Sequence, residues 1–222
     1  MSKLLTNQKI AFLAWNLYKD APITTRLLAS ARTYICPMQP LLGEVPKHST
    51  VLDIGCGSGL FLFLLIANEQ VTKAVGIDAN AKMLNSTKLT AHQLAQKRLG
   101  IDINFIEADN PNDWPNNNFS VVSMIDVIHH IPPEKQQAVF EEATQRVCPG
   151  GYLLYKDMCK QPFWRATANR LHDLILARQW IHYCPIDKIK QWGSACGLTL
   201  EKESYYSKWV YGHEKLVFKK PE

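Results

Sequence analysis

The stretch Val51-Leu-Asp-Ile-Gly-Cys-Gly-Ser-Gly59 decides the fold, because it joins a β-rich run to the apolar run that begins at Leu60. Glycines at alternate positions permit left-handed backbone and let a ligand lie against bare main chain. A helix that starts at Leu60 presents unpaired N–H groups to an anionic group such as a carboxylate. We expect Asp53, on the strand, to accept hydrogen bonds that brace the turn. The alternative is an ordinary tight turn, since the stretch lacks the Gly-Lys-Ser/Thr of a phosphate-binding loop and a dinucleotide fingerprint would have glycine at Leu60.

Outward from this turn, β-rich runs alternate with amphipathic or apolar runs between Thr50 and Asp157, which predicts a parallel sheet with crossover helices. The predicted strands are Thr50–Ile54, Lys73–Asp78, Asp102–Glu107, Phe119–Asp126 and Gly151–Asp157. The predicted helices between them are Leu60–Asn68, Ala81–Leu99 and Pro133–Val147. Helices are also predicted over residues 6–19 and 23–35, followed by a loop with Pro37, Pro40 and Pro46. After the core come a helix over Ile186–Cys196 and strands over Thr199–Tyr206 and His213–Phe218.

These elements predict a doubly wound α/β protein with a seven-stranded, mostly parallel, Rossmann-like sheet. We divide the chain into an N-terminal helical lid (residues 1–48) and a larger domain (residues 49–222). The larger domain consists of a ligand-binding core (49–157), a helical cap insertion (158–184) and a C-terminal helix and hairpin (185–222).

Composition supports one folded globular unit. The 222 residues are 46% hydrophobic and 20% charged, which excludes intrinsic disorder. Residues 1–159 hold 14 basic and 14 acidic side chains, whereas residues 160–222 hold 11 and 6. The net charge of +5 therefore comes from the last part of the chain, either as a solvated face or as a surface that attracts an anionic substrate or acidic partner.

Cysteine usage and hydropathy set the expected compartment. The six cysteines form no C-x-x-C pair and no metal-ligand spacing with histidine, so we expect no metal site and no disulfide framework. The apolar run Leu60–Ala67 is far shorter than the roughly 20 residues of a membrane span. We expect a soluble protein of the reducing cytoplasm, either a monomer or a homodimer.

Asp78 ends the second predicted strand, 19 residues after Gly59. A carboxylate at this place faces the ribose hydroxyls of a nucleoside that lies across the carboxyl ends of the strands. The alternative is a helix N-cap for the residues that follow. In combination with the glycine turn, Asp78 predicts a nucleoside-containing ligand.

Four motifs in order now carry a resemblance to class I S-adenosylmethionine-dependent methyltransferases. They are Val51–Gly59, Asp78, Ala108-Asp109-Asn110 and the fourth-strand motif Asn117–Asp126. The turn into the fifth strand, Val147–Tyr155, is also similar. Ser120 stands where this family commonly has Asp, which affects a bracing position. Within the class, the chain resembles small-molecule enzymes such as the ubiquinone and menaquinone biosynthesis methyltransferases. A weaker resemblance, carried by Ala168–Asp173 and Ile181–Tyr183, is to methyltransferases associated with aryl polyenes and polyketides.

The resemblance implies the cofactor S-adenosyl-L-methionine, an antiparallel hairpin that completes the sheet, and an inserted helix that lies over the active site. Its methionine carboxylate and amino group would lie near Gly55 and Gly57, its ribose on Asp78, and its adenine amino group on Asp109. The full set of implied cofactor-binding residues is Asp53, Gly55, Gly57, Gly59, Asp78, Ala79, Met83, Ala108, Asp109, Asn110, Ile125, Asp126, Val127 and His130. For Asp109, a simple Asp-Asn-Pro turn remains the alternative.

Methyl transfer is an in-line displacement, so positioning supplies most of the catalysis, and a general base helps a hydroxyl or carbon acceptor. His129 and His130 follow the fourth strand and are the base candidates; the alternative is that they only shape the cofactor pocket or cap the next helix. Tyr155 could orient an acceptor, and Lys156 and Asp157 beside it could be a solvent-facing pair. The acceptor-side candidates are Arg165, Arg170, His172 and Tyr183, with surface-helix positions as their alternative.

The sequence therefore predicts an O- or C-directed methyltransferase that acts on a small molecule, with an acidic carrier protein as one way of delivering it. The Asn/Asp-Pro-Pro-aromatic pattern of enzymes that methylate exocyclic or amide nitrogens does not follow the fourth strand. The competing hypotheses are an RNA methyltransferase, which a neutral core disfavours, and a non-catalytic protein that binds S-adenosylmethionine.

Overall fold

A computed structural model describes residues 6–97, 101–159, 182–208 and 211–222. Seven strands form one sheet in the order β3-β2-β1-β4-β5-β7-β6. The strands are β1 (Ser49–Ile54), β2 (Val71–Asp78), β3 (Asp102–Glu107), β4 (Phe119–Ile125), β5 (Val147–Met158), β6 (Thr199–Lys208) and β7 (Tyr211–Lys219). The helices among the described residues are α1 (Asn7–Leu17), α2 (Ile23–Ile35), α3 (Met38–Leu42), α4 (Leu60–Ala67), α5 (Ala81–Lys97), α6 (Pro133–Gln145) and α7 (Ile186–Ala195).

The strand directions confirm the predicted sheet. Strands β1 to β5 pair in parallel, and β7 is antiparallel to both β5 and β6. The chain moves outward from β1 through β2 to β3, and then returns to β4 on the other side of β1. The strand order thus reverses between β1 and β4, where open α/β sheets bind their ligands outside the carboxyl ends of the strands.

Each face of the sheet is covered by its own hydrophobic cluster. One cluster joins the sheet to α1, α3, α4 and α5, and Leu62 to Leu65 of α4 are completely buried within it. The other joins the sheet to α6 and α7 through Phe140 and Trp192. All eight residues of helix α4 are apolar, so the helix has no polar face, and seven of the eight are buried.

Polar side chains tie β1 to β4 along their length, beginning at the ends of the two strands that lie opposite the carboxyl edge. Ser120 Oγ accepts from Thr50 N at 2.9 Å, and the Thr50 hydroxyl accepts from Ser120 N at 3.0 Å. Serine therefore braces the two strands at the position where the resemblance expects Asp. Further along the same strands, Ser123 Oγ donates to Asp53 Oδ1 at 2.6 Å.

The predicted loop after residue 35 was wrong in one part, since Met38–Leu42 form the short helix α3. Pro40 is compatible with it because the first turn of a helix needs no amide hydrogen bond. Met38, Leu41 and Leu42 are buried, so tertiary packing stabilises the helical conformation of this segment. The predicted inserted helix lies outside the described residues, apart from 158–159 and 182–184 at its ends. In the described part of the chain, no helix is long and apolar enough to cross a bilayer.

Candidate active site

The glycine turn between β1 and α4 adopts the left-handed backbone that its sequence predicts. Gly55, Gly57 and Gly59 have φ values of 69°, 56° and 76°. A Cβ atom on Gly55 would lie 2.5 Å from Val127 Cγ2, so Val127, which follows β4, packs directly on the turn. Gly59 is the N-cap residue of α4 and offers no side chain that could cap the helix. The turn thus combines bare main chain with an uncapped helix N-terminus, which suits a carboxylate.

Side chains from the end of α1 and from α5 also contact the glycine turn. Tyr18, completely buried at the end of α1, donates its hydroxyl to Ser58 O at 2.6 Å. Met83 lies over Gly57, where a Cβ atom would be 3.4 Å from the sulfur. Met83 is 41% exposed, so its thioether offers a flexible apolar wall beside bare backbone.

Asp78 links the glycine turn to the next helix. Its carboxylate accepts from Gly57 N at 2.7 Å and from Asn80 N at 2.8 Å. A carboxylate has about four lone-pair sites, so two remain for hydroxyl groups of a ligand. Asp78 therefore supports the turn and can also hold a ribose.

The predicted adenine residues surround the end of β3. Ala108 is buried, and its N–H donates to Asp78 O at 3.2 Å, which holds the ends of β2 and β3 together. Asp109 and Ala79 are exposed. Asn110 is exposed too, and its side-chain oxygen accepts from Asn112 N at 3.0 Å at the start of a short 3-10 turn. Asn110 thus has a capping role in this structure, and its side-chain NH₂ group is still available as a donor.

At the end of β4, Asp126 has a left-handed backbone with φ of 59°. Its two carboxylate oxygens accept from Lys156 Nζ at 2.5 Å and from Arg32 at 3.1 Å. Burial alone would raise the pKa of this carboxyl, but the two cations hold it well below its usual value. The buried neighbour Ile125 and the half-buried Val127 form the rest of this rim. The carboxylate of Asp126 is thus committed to protein cations, and the side chain of Val127 is the part of the rim that packs on the glycine turn.

His129 forms a dyad with Asp157, which ends β5. His129 Nδ1 contacts Asp157 Oδ1, and the backbone N–H of His129 donates to Asp157 Oδ2 at 3.2 Å. Because a carboxylate can only accept, Nδ1 carries the proton and Nε2 is the basic nitrogen of the neutral ring. Lys156 and Asp157 are 0% and 3% exposed, so the alternative of a solvent-facing pair is wrong.

The other two catalytic candidates lie in different surroundings. His130 is exposed, with its ring 4.1 Å from that of His129 between centroids. Tyr155 is 1% exposed within the cluster under α6 and α7. Its hydroxyl has no hydrogen-bond partner among the described residues. Tyr155 is therefore a core residue in the structure, whereas His130 lies at the rim.

Asp126, His129 and Asp157 each place a potential ligand atom within 4.8 Å of the others. Asp126 is already paired with Lys156 and Arg32, and Asp157 is bonded to His129. Protein groups thus compensate both carboxylates, and we assign the cluster to hydrogen bonding and ion pairing.

The predicted acceptor-side residues Arg165, Arg170 and His172 lie outside the described residues. Tyr183 is described and half-buried. It follows His182, whose N–H donates to His129 O at 2.8 Å. The end of the predicted cap is therefore anchored to the dyad, and Gln136 of α6 secures it further by donating to His182 O at 2.9 Å.

Three features of this edge of the sheet did not follow from sequence reasoning, namely the positions of Tyr18 and Arg32 and the pairing of Asp157 with His129. Tyr18 and Arg32 belong to helices whose docking on the sheet no local pattern predicts. A polar Lys156-Asp157 pair at the end of an apolar strand was the available signal, because ionisable residues are rarely fully buried unless they are paired.

The fold and the glycine turn define the class: a Rossmann-like methyltransferase. Comparison with known proteins agrees, since the family model described as "Methyltransferase domain" matches residues 28–203. The chain belongs to this family, and the resemblance to S-adenosylmethionine-dependent class I enzymes is confirmed.

Several individual proteins are similar to the chain. Probable methyltransferase ltbC of Aspergillus luteorubrus is 27% identical over 145 residues, which cover 64% of this chain and 49% of that protein. The mitochondrial ubiquinone biosynthesis O-methyltransferase of Candida albicans is 31% identical over 107 residues, 47% of this chain and 31% of that protein. A tRNA N(3)-methylcytidine methyltransferase of Drosophila melanogaster is 26% identical over 128 residues, which cover 54% of this chain and 38% of that protein. The chain thus spans about half or less of the length of these relatives.

Among solved structures, magnesium protoporphyrin IX methyltransferase from Synechocystis, with bound S-adenosylhomocysteine, superposes with a TM-score of 0.65. The two chains are 16% identical, and the match covers 87% of this chain and 84% of that one. At this identity the likeness shows the fold.

Proposed function

We propose that the chain transfers a methyl group from S-adenosylmethionine to an oxygen or carbon atom of a small-molecule acceptor. The proposal rests on the relative positions of the expected cofactor site and the expected base. The bare glycine turn with Asp78 and the His129–Asp157 dyad lie at the same carboxyl edge of the sheet, beside the reversal of strand order between β1 and β4.

The residues present fit this cofactor. The uncapped N-terminus of α4 and the main chain at Gly55 and Gly57 suit the methionine carboxylate, and the two remaining lone-pair sites of Asp78 suit the ribose. Ala79, Met83, Ala108, Asp109 and Asn110 border the space expected for adenine. The half-exposed guanidinium of Arg32 adds a cation beside the β4 rim. When bound, the cofactor supplies an electrophilic methyl group on a sulfonium.

In this proposal His129 is the general base for a hydroxyl or carbon acceptor. Asp157 holds Nδ1–H, which fixes the tautomer that leaves Nε2 basic, and stabilises the imidazolium that forms on proton transfer. The ring is 1% exposed, so bulk water has little access to the proposed base. His130 serves at the cofactor rim, and Tyr183, next to the anchored His182, serves on the acceptor side.

A small acceptor is favoured over RNA by the distribution of charge. Residues 1–159 are electrically balanced by sequence, and the excess of basic residues follows them. RNA recognition usually adds a basic stripe across the domain. The basic C-terminal part suits an anionic acceptor or one delivered on an acidic carrier protein.

Cofactor binding is tested by calorimetric titration of the full chain with S-adenosylmethionine and S-adenosylhomocysteine. The wild type should bind both, and Asp78→Ala should abolish binding because it removes a hydrogen-bond partner of both the turn and the ribose. Asp102→Ala is the matched control, since Asp102 begins β3 at the opposite edge of the sheet. Absence of binding to the wild type refutes every enzymatic form of the proposal.

The acceptor class is tested with radiolabelled methyl donor against tRNA, phenolic acids, quinone precursors and carrier-bound acyl groups. Label found in RNA alone refutes the small-molecule assignment. With the acceptor that is labelled, His129→Gln should lower kcat at least tenfold. His92→Gln, an exposed histidine of α5, should leave kcat unchanged. A near-normal rate for His129→Gln leaves positioning as the whole mechanism.

A further inference from the structure

Glu214 of β7 lies directly across the strand pair from Asp157 of β5. The two residues are 5% and 3% exposed. Opposite residues of an antiparallel pair point to the same face with Cβ atoms about 5 Å apart, and like charges in this arrangement repel. Because Asp157 contacts His129, Glu214 is separated from the proposed base by a single side chain.

The ionisable groups around Glu214 are mostly acidic. Those that interact with it from the packed elements are Tyr155, Asp157, Cys184, Asp187, Lys190, Glu203 and Tyr205, with His129 beyond Asp157. Lys190 is the cation that acts on Glu214 in the described part of the chain, and its ammonium group bonds Glu203 at 2.6 Å. Tyr205 donates its hydroxyl to the same Glu203. Burial, followed by the charge of Asp157, therefore raises the pKa of Glu214 to about 8.

We propose that Glu214 stays protonated at neutral pH and acts on His129 through Asp157, as a positioning residue that sets how much negative charge faces the imidazole. This inference rests on the proposed role of His129 as the base.

The consequence is a proton equilibrium coupled to that of the base. While Glu214 is neutral, the protonated form of His129 is stabilised by Asp157, which contacts Nδ1, and by the charge of Asp126. When Glu214 releases its proton to solvent, a second negative charge stands beside Asp157 and stabilises the imidazolium further. His129 thus becomes a stronger base as the solution becomes alkaline.

The coupling is tested by following the His129 ring resonances by NMR in the full chain, labelled on histidine and saturated with S-adenosylhomocysteine, from about pH 6 to about pH 9.5. His129→Gln assigns the signals. The wild type should show two inflections, one from His129 itself and one near pH 8, and Glu214→Gln should lose the second. Glu201→Gln is the matched control, because Glu201 is exposed on β6, and it should keep both. Identical inflections in the wild type and Glu214→Gln overturn the proposal.

Infrared difference spectra between wild type and Glu214→Gln provide a second readout that does not depend on His129. The carbonyl stretch of a protonated carboxyl group should be present at neutral pH and disappear as the solution becomes alkaline. Carboxylate bands already assigned to Glu214 at neutral pH refute the proposal.

The two proposals fail separately. If the cofactor binds and His129→Gln loses activity while Glu214→Gln titrates like the wild type, only the role of Glu214 is refuted. If His129→Gln retains full activity, the base assignment is refuted even where Glu214 proves protonated.

Discussion

Arg32 of α2 donates to the carboxylate of Asp126 at 3.1 Å, although 94 residues separate them in the chain. The same carboxylate accepts from the completely buried Lys156. Together with the hydrogen bond from Tyr18 to Ser58 O, this contact places the N-terminal helices against both sides of the proposed cofactor site. These helices therefore help to shape the proposed site.

The two cations of this ion cluster should differ sharply in their contribution to stability. Lys156→Met leaves Asp126 without its buried partner and should lower the free energy of unfolding by about 3–5 kcal/mol. Arg32 is 46% exposed in its side chain, so solvent screening should limit the cost of Arg32→Gln to about 1 kcal/mol or less. Urea unfolding of each variant measures both changes.

Lys73→Gln is the control for the exposed pair, since Lys73 contacts Asp102 at 3.1 Å with both side chains well exposed. It should cost no more than Arg32→Gln. Equal losses for Lys156→Met and Arg32→Gln would show that burial of the pair does not decide its contribution.

Gly55 and Gly197 both have left-handed backbone, with φ of 69° and 77°, but they differ in the space around them. Alanine at Gly197 meets nothing within 4 Å, so it should cost only the backbone strain of about 1 kcal/mol. Alanine at Gly55 would come within 2.5 Å of Val127 and should displace the rim from the turn. We expect Gly55→Ala to weaken S-adenosylhomocysteine binding at least tenfold and Gly197→Ala to leave it unchanged, by calorimetry.

A rescue experiment distinguishes this clash from general unfolding. Val127→Ala removes the methyl groups that Gly55→Ala would meet, so the double variant should bind more tightly than Gly55→Ala alone. Weaker binding by the double variant would mean that contact with Val127 is not the cause.

Asp157→Asn tests the dyad, because the amide can still accept from Nδ1–H but no longer carries a charge. The imidazolium loses its stabilising partner, so the pKa of His129 should fall and the acid limb of the kcat profile should move to lower pH. We expect kcat to fall about tenfold or more in the plateau. An unchanged profile would show that Asp157 does not act on the base.

The sequence predicted most of the fold, because local periodicity records which face of each element is buried. It also predicted the left-handed glycine turn and the strand that ends at Asp78, since neighbouring residues define both. The ion cluster was not predicted, because Arg32 and Asp126 meet only through tertiary docking. Helix α3 was missed for a related reason: buried Met38 and Leu41 override the local proline signal.

Glu214 should make stability depend on pH. Its pKa is about 8 in the folded protein, against an ordinary value of 4.5. The unfolded chain therefore releases this proton first, so the contribution of Glu214 to stability is complete below pH 4.5 and is lost as the pH rises towards 8.

Glu214→Gln has no ionisable group at this position and should not lose stability in this way. The variant should match the wild type near pH 4.5 and exceed it above pH 8, by a few kcal/mol at about 1.4 kcal/mol per pH unit. Urea unfolding at the two pH values measures the difference, with Glu201→Gln as the exposed control that should show none. A variant that is less stable than the wild type above pH 8 would show that ionised Glu214 has a stabilising partner.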